Sequence, residues 1–446
     1  MTEKKFYGWK VVVATAVLYA LLGNFGLAAA QITIPVMALD PTVGMDRTMI
    51  GIGFTVFILM QGLPGPLIGK FVGQYGAKNA FLASSALIIL TGVLLGFFAG
   101  ASTAAYIVLF GVLLSFSSTL GGQVATQTTI GNWFVMKRGL AMAVTMGLGG
   151  VVAFSFPLIT NAAIGAEGNW PMGFFLISVM GVISLAVAFL FMRNKPSDMG
   201  QNPDGLSAAE LEKAAAAAAG AGAAGAGVES PATEAEAAAL ADKRAGVFKN
   251  PTSLTQGQAF KTPAFWLLLI AALSIFVALN MAVSSGVLHF GGLGIDTGVI
   301  AGAVAVQGIA AVAVNLVIAP LADRIEPARI LGACALLTAI GALCAFLAQP
   351  GDVVMLYVYY ILLGLGFGGN TSVMPTAFAN YFGIVNFPKI IGTVLLLLSL
   401  FSGLVPTIAG AVFDATGTYA TMFAVVAVIC LVGCVAGFLV RFPKKA

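Results

Sequence analysis

The stretch 418–440, TYATMFAVVAVICLVGCVAGFLV, contains no charged residue. About 20 mostly apolar residues make a helix long enough to cross a bilayer. In lipid such a segment must be helical, because no water is there to satisfy free backbone groups. The same pattern recurs along the chain. Scanning outward from it gives twelve candidate spans, near 8–38, 48–72, 79–100, 103–132, 139–163, 170–192, 263–288, 297–320, 327–348, 353–382, 388–412 and 418–440. The first is too long for a cleaved signal peptide, and no small-residue cleavage site followed by a polar mature start accompanies it.

The composition agrees. Of 446 residues, 59% are hydrophobic and 9% charged, against roughly a quarter charged in a soluble globular protein. Mean hydropathy is +1.01. A soluble core stops growing beyond about 250–300 residues and cannot hide that much apolar surface. A soluble enzyme, a nucleic-acid binder and a disordered scaffold are excluded. The formal charge of +4 therefore reports no basic binding face and is read by position.

Read that way, the charges sort by side. Lys4, Lys5 and Lys10 precede span one; Lys70 and Lys78 lie between spans two and three; Lys137 and Arg138 between four and five. Arg324 and Arg329 follow span eight, Lys389 opens span eleven, and Arg441, Lys444 and Lys445 end the sequence. The opposite loops carry Asp40, Asp46, Glu167, Asp296, Asp352 and Asp414, with Arg47 their only base. Cytoplasmic loops carry the excess of Lys and Arg. Both termini and the long middle segment are therefore expected in the cytoplasm, and an even number of spans requires the termini to share a side. The expected location is a plasma membrane, the inner membrane of a bacterium.

The middle segment, 193–262, breaks the apolar pattern. It is rich in Ala and Gly, with a flexible tract at Gly220–Gly227. Ser207-x-x-Glu210 and Thr233-x-x-Glu236 resemble capping boxes ahead of alanine runs. The expected organisation is an N-terminal six-helix bundle over 1–192, a cytoplasmic linker over 193–262 and a C-terminal six-helix bundle over 263–446. A basic loop repeated between spans 2–3 and 8–9 points to internal duplication.

The chemical inventory narrows the function. There is one histidine, His289, and the four cysteines (Cys334, Cys344, Cys430, Cys434) lie in apolar runs with no CxxC pair. Metal, redox and catalytic sites are not expected, and neither is a resident cofactor. No GxxxxGK[ST] occurs for an ATP-driven pump. No Asp, Glu, Lys or Arg falls near the middle of any span, which leaves out a voltage sensor. Among 55 glycines, Gly147, Gly149 and Gly150 sit in span five and Gly364, Gly366, Gly368 and Gly369 in span ten. They let helices approach and slide. Pro64, Pro66, Pro157, Pro375 and Pro406 can bend their helices. A two-halved unit of this kind suits alternating access around a midplane site.

Several segments carry a family resemblance. Tyr7-Gly8-Trp9 opens span one; Gly65-Pro66-Leu67-Ile68-Gly69-Lys70 through Tyr75-Gly76-Ala77-Lys78 forms loop 2–3, echoed by Leu321-Ala322-Asp323-Arg324 ending at Arg329. Trp133-Phe134 with Lys137-Arg138-Gly139-Leu140-Ala141 leads into span five, and Thr262-Pro263-Ala264-Phe265-Trp266 into span seven. Ala379-Asn380-Tyr381-Phe382-Gly383 and Gly403-x-x-Pro406-x-x-x-Gly410-x-x-x-Asp414-x-x-Gly417-x-Tyr419 cover spans ten to twelve. In order and in these places, they make the chain resemble the major facilitator superfamily, and within it the monocarboxylate transporter and oxalate–formate antiporter group. The resemblance implies an all-α membrane fold of twelve helices in two pseudo-symmetric six-helix bundles. It further implies a monomeric secondary transporter of a small organic acid, working by proton symport or anion exchange.

Two departures stand out. Gly73 occupies the place where the loop 2–3 motif has an aspartate, so only the second copy, Asp323, is intact. The resemblance implies that Asp323, with Arg324, faces Arg138 at the start of span five and gates the cytoplasmic side. In this group an arginine eight residues before the loop 8–9 aspartate grips the substrate carboxylate; here that position is Asn315. An amide donates a hydrogen bond but brings no charge and no bidentate fork. The same fold carrying a neutral or zwitterionic solute is therefore the alternative, and a substrate sensor that binds without transporting is another.

Polar residues inside spans must find partners. Asn24 and Gln31 share a face of span one, Gln123 and Gln127 a face of span four, and Asn280 and Ser284 a face of span seven. Gln307 and Asn315 lie in span eight, and Tyr360 and Asn370 in span ten. The resemblance implies that spans one, four, seven and ten line the cavity, which makes these ten residues the candidate substrate site; helix–helix hydrogen bonding is the alternative use. His289 ends span seven and is the side chain whose ordinary charge change falls near neutral pH. Its candidate role is proton coupling or an outer gate, the alternative being a satisfied interfacial histidine.

Overall fold

The computed structural model describes residues 6–134, 137–153, 155–206, 254–321, 325–383 and 386–442. Every long element in it is a helix. In chain order these are α1 (Gly8–Leu39), α2 (Arg47–Gly62), α3 (Gly65–Tyr75), α4 (Ala77–Phe98) and α5 (Thr103–Trp133). Next come α6 (Arg138–Ala153), α7 (Phe156–Ile164) and α8 (Trp170–Phe191). After the linker follow α9 (Pro263–Gly292), α10 (Thr297–Leu321), α11 (Pro327–Leu347), α12 (Val353–Phe382), α13 (Phe387–Ser402), α14 (Val405–Thr416) and α15 (Ala420–Leu439).

Ten helices among the described residues are long and apolar enough to cross a membrane, with α13 and α14 running together as one span from Lys389 to Thr416. An eleventh span is the pair α2–α3, bent by 47°. The bend falls at Leu63–Pro64, where a proline ring cannot continue the hydrogen-bond ladder. The expected span over 139–163 is filled by α6 and α7, with Pro157 in the first turn of α7.

Polar residues at the helix ends fix where spans begin. Ser102 caps α5 by accepting from Ala105 N (3.1 Å), Thr262 caps α9 through Phe265 N (3.4 Å), and Asp352 caps α12 through Met355 N (3.1 Å). Each satisfies an N–H that the first turn leaves without a partner. Between α1 and α2, hydrogen bonds from the Thr42 hydroxyl, the Trp170 indole and the Thr42 N–H hold the exposed Asp40 carboxyl below the usual carboxylate range.

Three spans are locally wound with wide i→i+5 turns: α1 at Tyr19–Asn24, α5 at Ile107–Leu114 and α9 at Ala282–Gly286. Such turns inside α-helices occur frequently at functional sites.

The chain divides into two compact units. The first holds Met1–Glu212 with Val283–Gly308 and Pro406–Thr418; the second holds Lys213–Ala282, Ile309–Val405 and Tyr419–Ala446. The core of the second is mostly apolar, with Phe265, Leu268, Ile275, Leu331, Phe378, Phe382 and Val394 fully buried. The outward residues are equally apolar, Phe97, Phe189, Leu190, Val428 and Leu439 among them, which suits lipid rather than water as the surrounding solvent.

Both ends of the expected linker are tied down. In the first unit, Gln201 accepts from Tyr7 N (3.0 Å) and Asp204 from Lys137 N (3.2 Å). In the second, Leu254 N donates to the Phe382 carbonyl (2.9 Å) and the Gln256 amide to Thr393 (2.7 Å). The expected capping boxes at Ser207 and Thr233 and the Gly220–Gly227 tract lie outside the described residues.

Candidate functional site

In the first unit, α1 and α5 cross on glycines. A Cβ on Gly23 would lie 3.6 Å from the Gly122 Cα, and one on Gly26 would lie 3.3–3.4 Å from Leu114 and Ser118. Asn24 and Gln123 each follow one of the two contacting glycines. Asn24 closes the wide turn of α1, its Nδ2 donating to the Tyr19 carbonyl at 3.0 Å. Gln123 is exposed, at a break where Gly122 leaves helical geometry (φ −85°, ψ −128°). Gln31 and Gln127 are half-buried. On the same α5, the Ser118 and Thr126 hydroxyls are buried without a hydrogen-bond partner. Both escaped the sequence reading, which weighted amides over hydroxyls.

The C-terminal part of α9, from Val283, also belongs to this unit. Ser284 and Ser285 place their hydroxyls 3.2 Å apart, both buried. His289 is buried against Phe290, with ring centroids 5.0 Å apart and an interplanar angle of 67°. Gln307 is half-buried on α10.

In the second unit, Asn280 donates to Ser402 Oγ (2.9 Å) and to the Ser402 carbonyl (3.2 Å), tying α9 to the end of α13. Asn315 Oδ1 accepts from the Ser372 hydroxyl at 2.5 Å, tying α10 to α12. Tyr360 is buried against Tyr359, centroids 4.8 Å apart. Asn370 is fully buried, and both its amide atoms lack hydrogen-bond partners. An amide taken from water without compensation costs roughly 1–3 kcal/mol on mutational scales. Asn370 is therefore the most costly of the candidate residues in the state described and the one with most to gain from a polar guest.

The expected cytoplasmic gate is only partly visible. Asp323 and Arg324 lie outside the described residues, and of Arg138 only the backbone, at the start of α6, is described. What the structure adds there is Glu326, which sits buried and accepts from the fully buried Tyr381 hydroxyl and from Arg329 Nε (3.0 Å). Counting loop charges by sign hid it, because it cancels a base in a basic loop. Among the described residues no group of His, Cys, Asp and Glu is arranged to hold a metal.

The candidate substrate residues of the two units are thus amides, hydroxyls and a phenol, without an ion among them, and those of α1, α5 and α9 lie on helices with widened turns. The family model for the major facilitator superfamily matches residues 13–315 and 287–446. The chain belongs to the major facilitator superfamily. A relative in Escherichia coli (strain K12), the uncharacterized MFS-type transporter YhjX, is 21% identical over 406 residues, covering 87% of this chain and 84% of its own. Among solved structures, the nucleoside transporter NupG aligns with a TM-score of 0.71 at 12% identity, covering 96% of this chain and 99% of its own. A peptide transporter, POT, solved with sulfate aligns with a TM-score of 0.69 at 15% identity, covering 98% and 95%. This major facilitator protein is an integral membrane protein of the superfamily's fold, a transporter rather than an enzyme.

Proposed function

We propose that this protein is a secondary active transporter that moves a small monocarboxylic acid across a plasma membrane by alternating access, as acid plus proton or by exchange of like acids. Both termini lie in the cytoplasm, by the distribution of Lys and Arg, and the monomer is the working unit. The observation that carries the reading is the Asn315–Ser372 pair. Where the resembled group holds an arginine, this chain holds an amide whose oxygen is already occupied by a hydroxyl. The free Nδ2 side of that amide is a donor. It recognises an acceptor such as a carboxyl or carbonyl oxygen, without a charge.

A desolvated carboxylate facing no counter-charge is costly, whereas the protonated acid is not. The chemistry of this amide therefore favours a substrate that travels with its proton, with His289 a titratable side chain near the C-terminal end of α9. The same uncharged donor set supports a second reading, a neutral solute carrying an amide or carbonyl group.

A thermal-shift panel on purified protein separates the two. Ligand at 100 times its Kd stabilises by about 2.7 kcal/mol. Small monocarboxylic acids are expected to raise the midpoint, more strongly at acid pH, while matched amides leave it unmoved. Stabilisation by the amides alone would replace the first reading with the second. Asn315→Ala is expected to weaken the acid response, and Ser372→Ala to weaken it less, by freeing the amide to rotate.

A further inference from the structure

Two cations meet where α4 begins and α8 ends. Lys78 is the second residue of α4, and Arg193 lies two residues past the end of α8. The Asn194 side chain joins the two segments by accepting from Lys78 N at 2.8 Å. The Lys78 ammonium and the Arg193 guanidinium are close enough to repel each other. Both side chains are half-buried. Their other contacts are uncharged. Lys78 Nζ lies 5.7 Å from the centre of the Phe189 ring, and Arg193 Nη1 donates to the Met192 carbonyl at 2.8 Å. Among the described residues no carboxylate pairs with either cation. The acid nearest in sequence, Asp198, accepts from Lys195 N at 3.0 Å. The start of α11 in the second unit is different, for there Arg329 Nε has the Glu326 carboxylate at 3.0 Å.

The surroundings say what faces this corner. Phe189 is 65% exposed, and Leu190 and Phe191 beside it are exposed too. On a membrane span, outward apolar side chains face lipid. An ammonium held over such a ring stands at the rim of the bilayer, its stem on apolar surface and its head at the interface. Two like charges half out of water repel each other and lose hydration. One phosphate offsets both, because its oxygens accept from an ammonium and a guanidinium together. Arg193 has five N–H donors, so the bond to Met192 leaves others to meet it.

We propose that this corner binds an anionic phospholipid, with the phosphate between Lys78 and Arg193 and the acyl chains against Phe189 and Leu190. The proposal uses the orientation given above, which puts the site in the cytoplasmic leaflet, and it does not depend on which solute is carried. Basic pockets at the cytoplasmic ends of spans suit anionic headgroups. The lipid-facing ring beneath the ammonium favours a lipid over free phosphate, since only a lipid brings apolar chains beside its charge. Asn194 is a positioning residue that holds the start of α4 against the end of α8.

The test titrates full-length protein in detergent with short-chain phosphatidylglycerol or phosphatidylcholine and counts bound lipid by native mass spectrometry. Phosphatidylglycerol is expected to bind more tightly. Lys78→Gln and Arg193→Gln should each weaken it about fivefold, the worth of one cation near an anionic surface, and leave phosphatidylcholine unmoved. Lys78→Arg should keep the preference. Lys261→Gln removes an exposed cation from the second unit and should change nothing. A loss there as large as that of Lys78→Gln would mean diffuse attraction and overturn the site, as would equal binding of the two lipids. Inorganic phosphate that displaces phosphatidylglycerol would make free phosphate the ligand and overturn the lipid. Each comparison is a ratio of two lipids on one protein, so it holds for a variant of which only part folds.

Discussion

Two regions of the molecule are built alike from different chemistry. Where α1 starts, Phe6 and Trp9 pack on Trp133 and Phe134 at the end of α5, with ring centroids 5.3–6.1 Å apart. Where α9 starts, Phe265 packs on Phe378 and Phe382 at the end of α12, 5.8 and 6.0 Å apart. Each aromatic knot is then bolted to a segment beside it, just after α8 in the first unit and just before α11 in the second. In the first unit the bolts are neutral. Trp133 Nε1 donates to the Arg193 carbonyl (3.1 Å), Asn132 to the Asn194 carbonyl (3.2 Å), and the Asn194 side chain accepts from Lys78 N at the start of α4 (2.8 Å). In the second unit the bolt is the Glu326 carboxylate under the Tyr381 hydroxyl, with Phe442 stacked on the same ring at 4.2 Å. The difference teaches that the two units share a place to fasten the ends of the spans, not the chemistry of the fastening.

The largest effect is expected from the charged bolt. Glu326→Ala leaves the Tyr381 hydroxyl buried with its main partner gone. A hydrogen bond to a charged group is worth about 1.5–3 kcal/mol, so unfolding midpoints in denaturant should report a loss in that range. Tyr381→Phe removes the donor but keeps the ring and its stacking on Phe442; a loss of about 1–2 kcal/mol is expected. The double variant should lose less than the sum, since both substitutions break one interaction. Asn194→Ala, the neutral counterpart, is expected to cost about 1 kcal/mol, the usual worth of a helix cap. Arg329→Ala should cost less than about 1 kcal/mol. Its side chain is 64% exposed against 10% for Glu326, and water around the guanidinium screens the pair. If Asn194→Ala proved as damaging as Glu326→Ala, the two fastenings would be energetically alike and the contrast would fall.

Much of this fold is written in the sequence because lipid is a demanding solvent. Runs such as 418–440 can be nothing but spans, and the sorting of Lys and Arg orders them. The motif residues Trp133-Phe134, Phe265-Trp266 and Tyr381-Phe382 are legible as landmarks. Their shared job, an aromatic knot, becomes visible only when residues more than a hundred positions apart are brought together. The wide turns in α1, α5 and α9 leave no signal in composition, since one extra residue in a turn does not alter an apolar run. Asp414 reads in sequence as one more outer acid, because its partners, the N–H groups of Thr48 and Arg47, stand 366 and 367 positions away. The candidate amides were legible by type. Their partners Ser402 and Ser372 were not, since a serine in a membrane helix usually satisfies itself on its own backbone.

The central claim is that a membrane protein whose candidate substrate residues are uncharged amides, hydroxyls and a phenol carries a small carboxylic acid. Counterflow into proteoliposomes tests it most directly: vesicles loaded with unlabelled monocarboxylic acid are diluted into a trace of the labelled acid. The account predicts transient, saturable accumulation that needs the protein and is weakened by Asn315→Ala. Label that never exceeds protein-free vesicles, or that accumulates only when the solute is an amide, would contradict it.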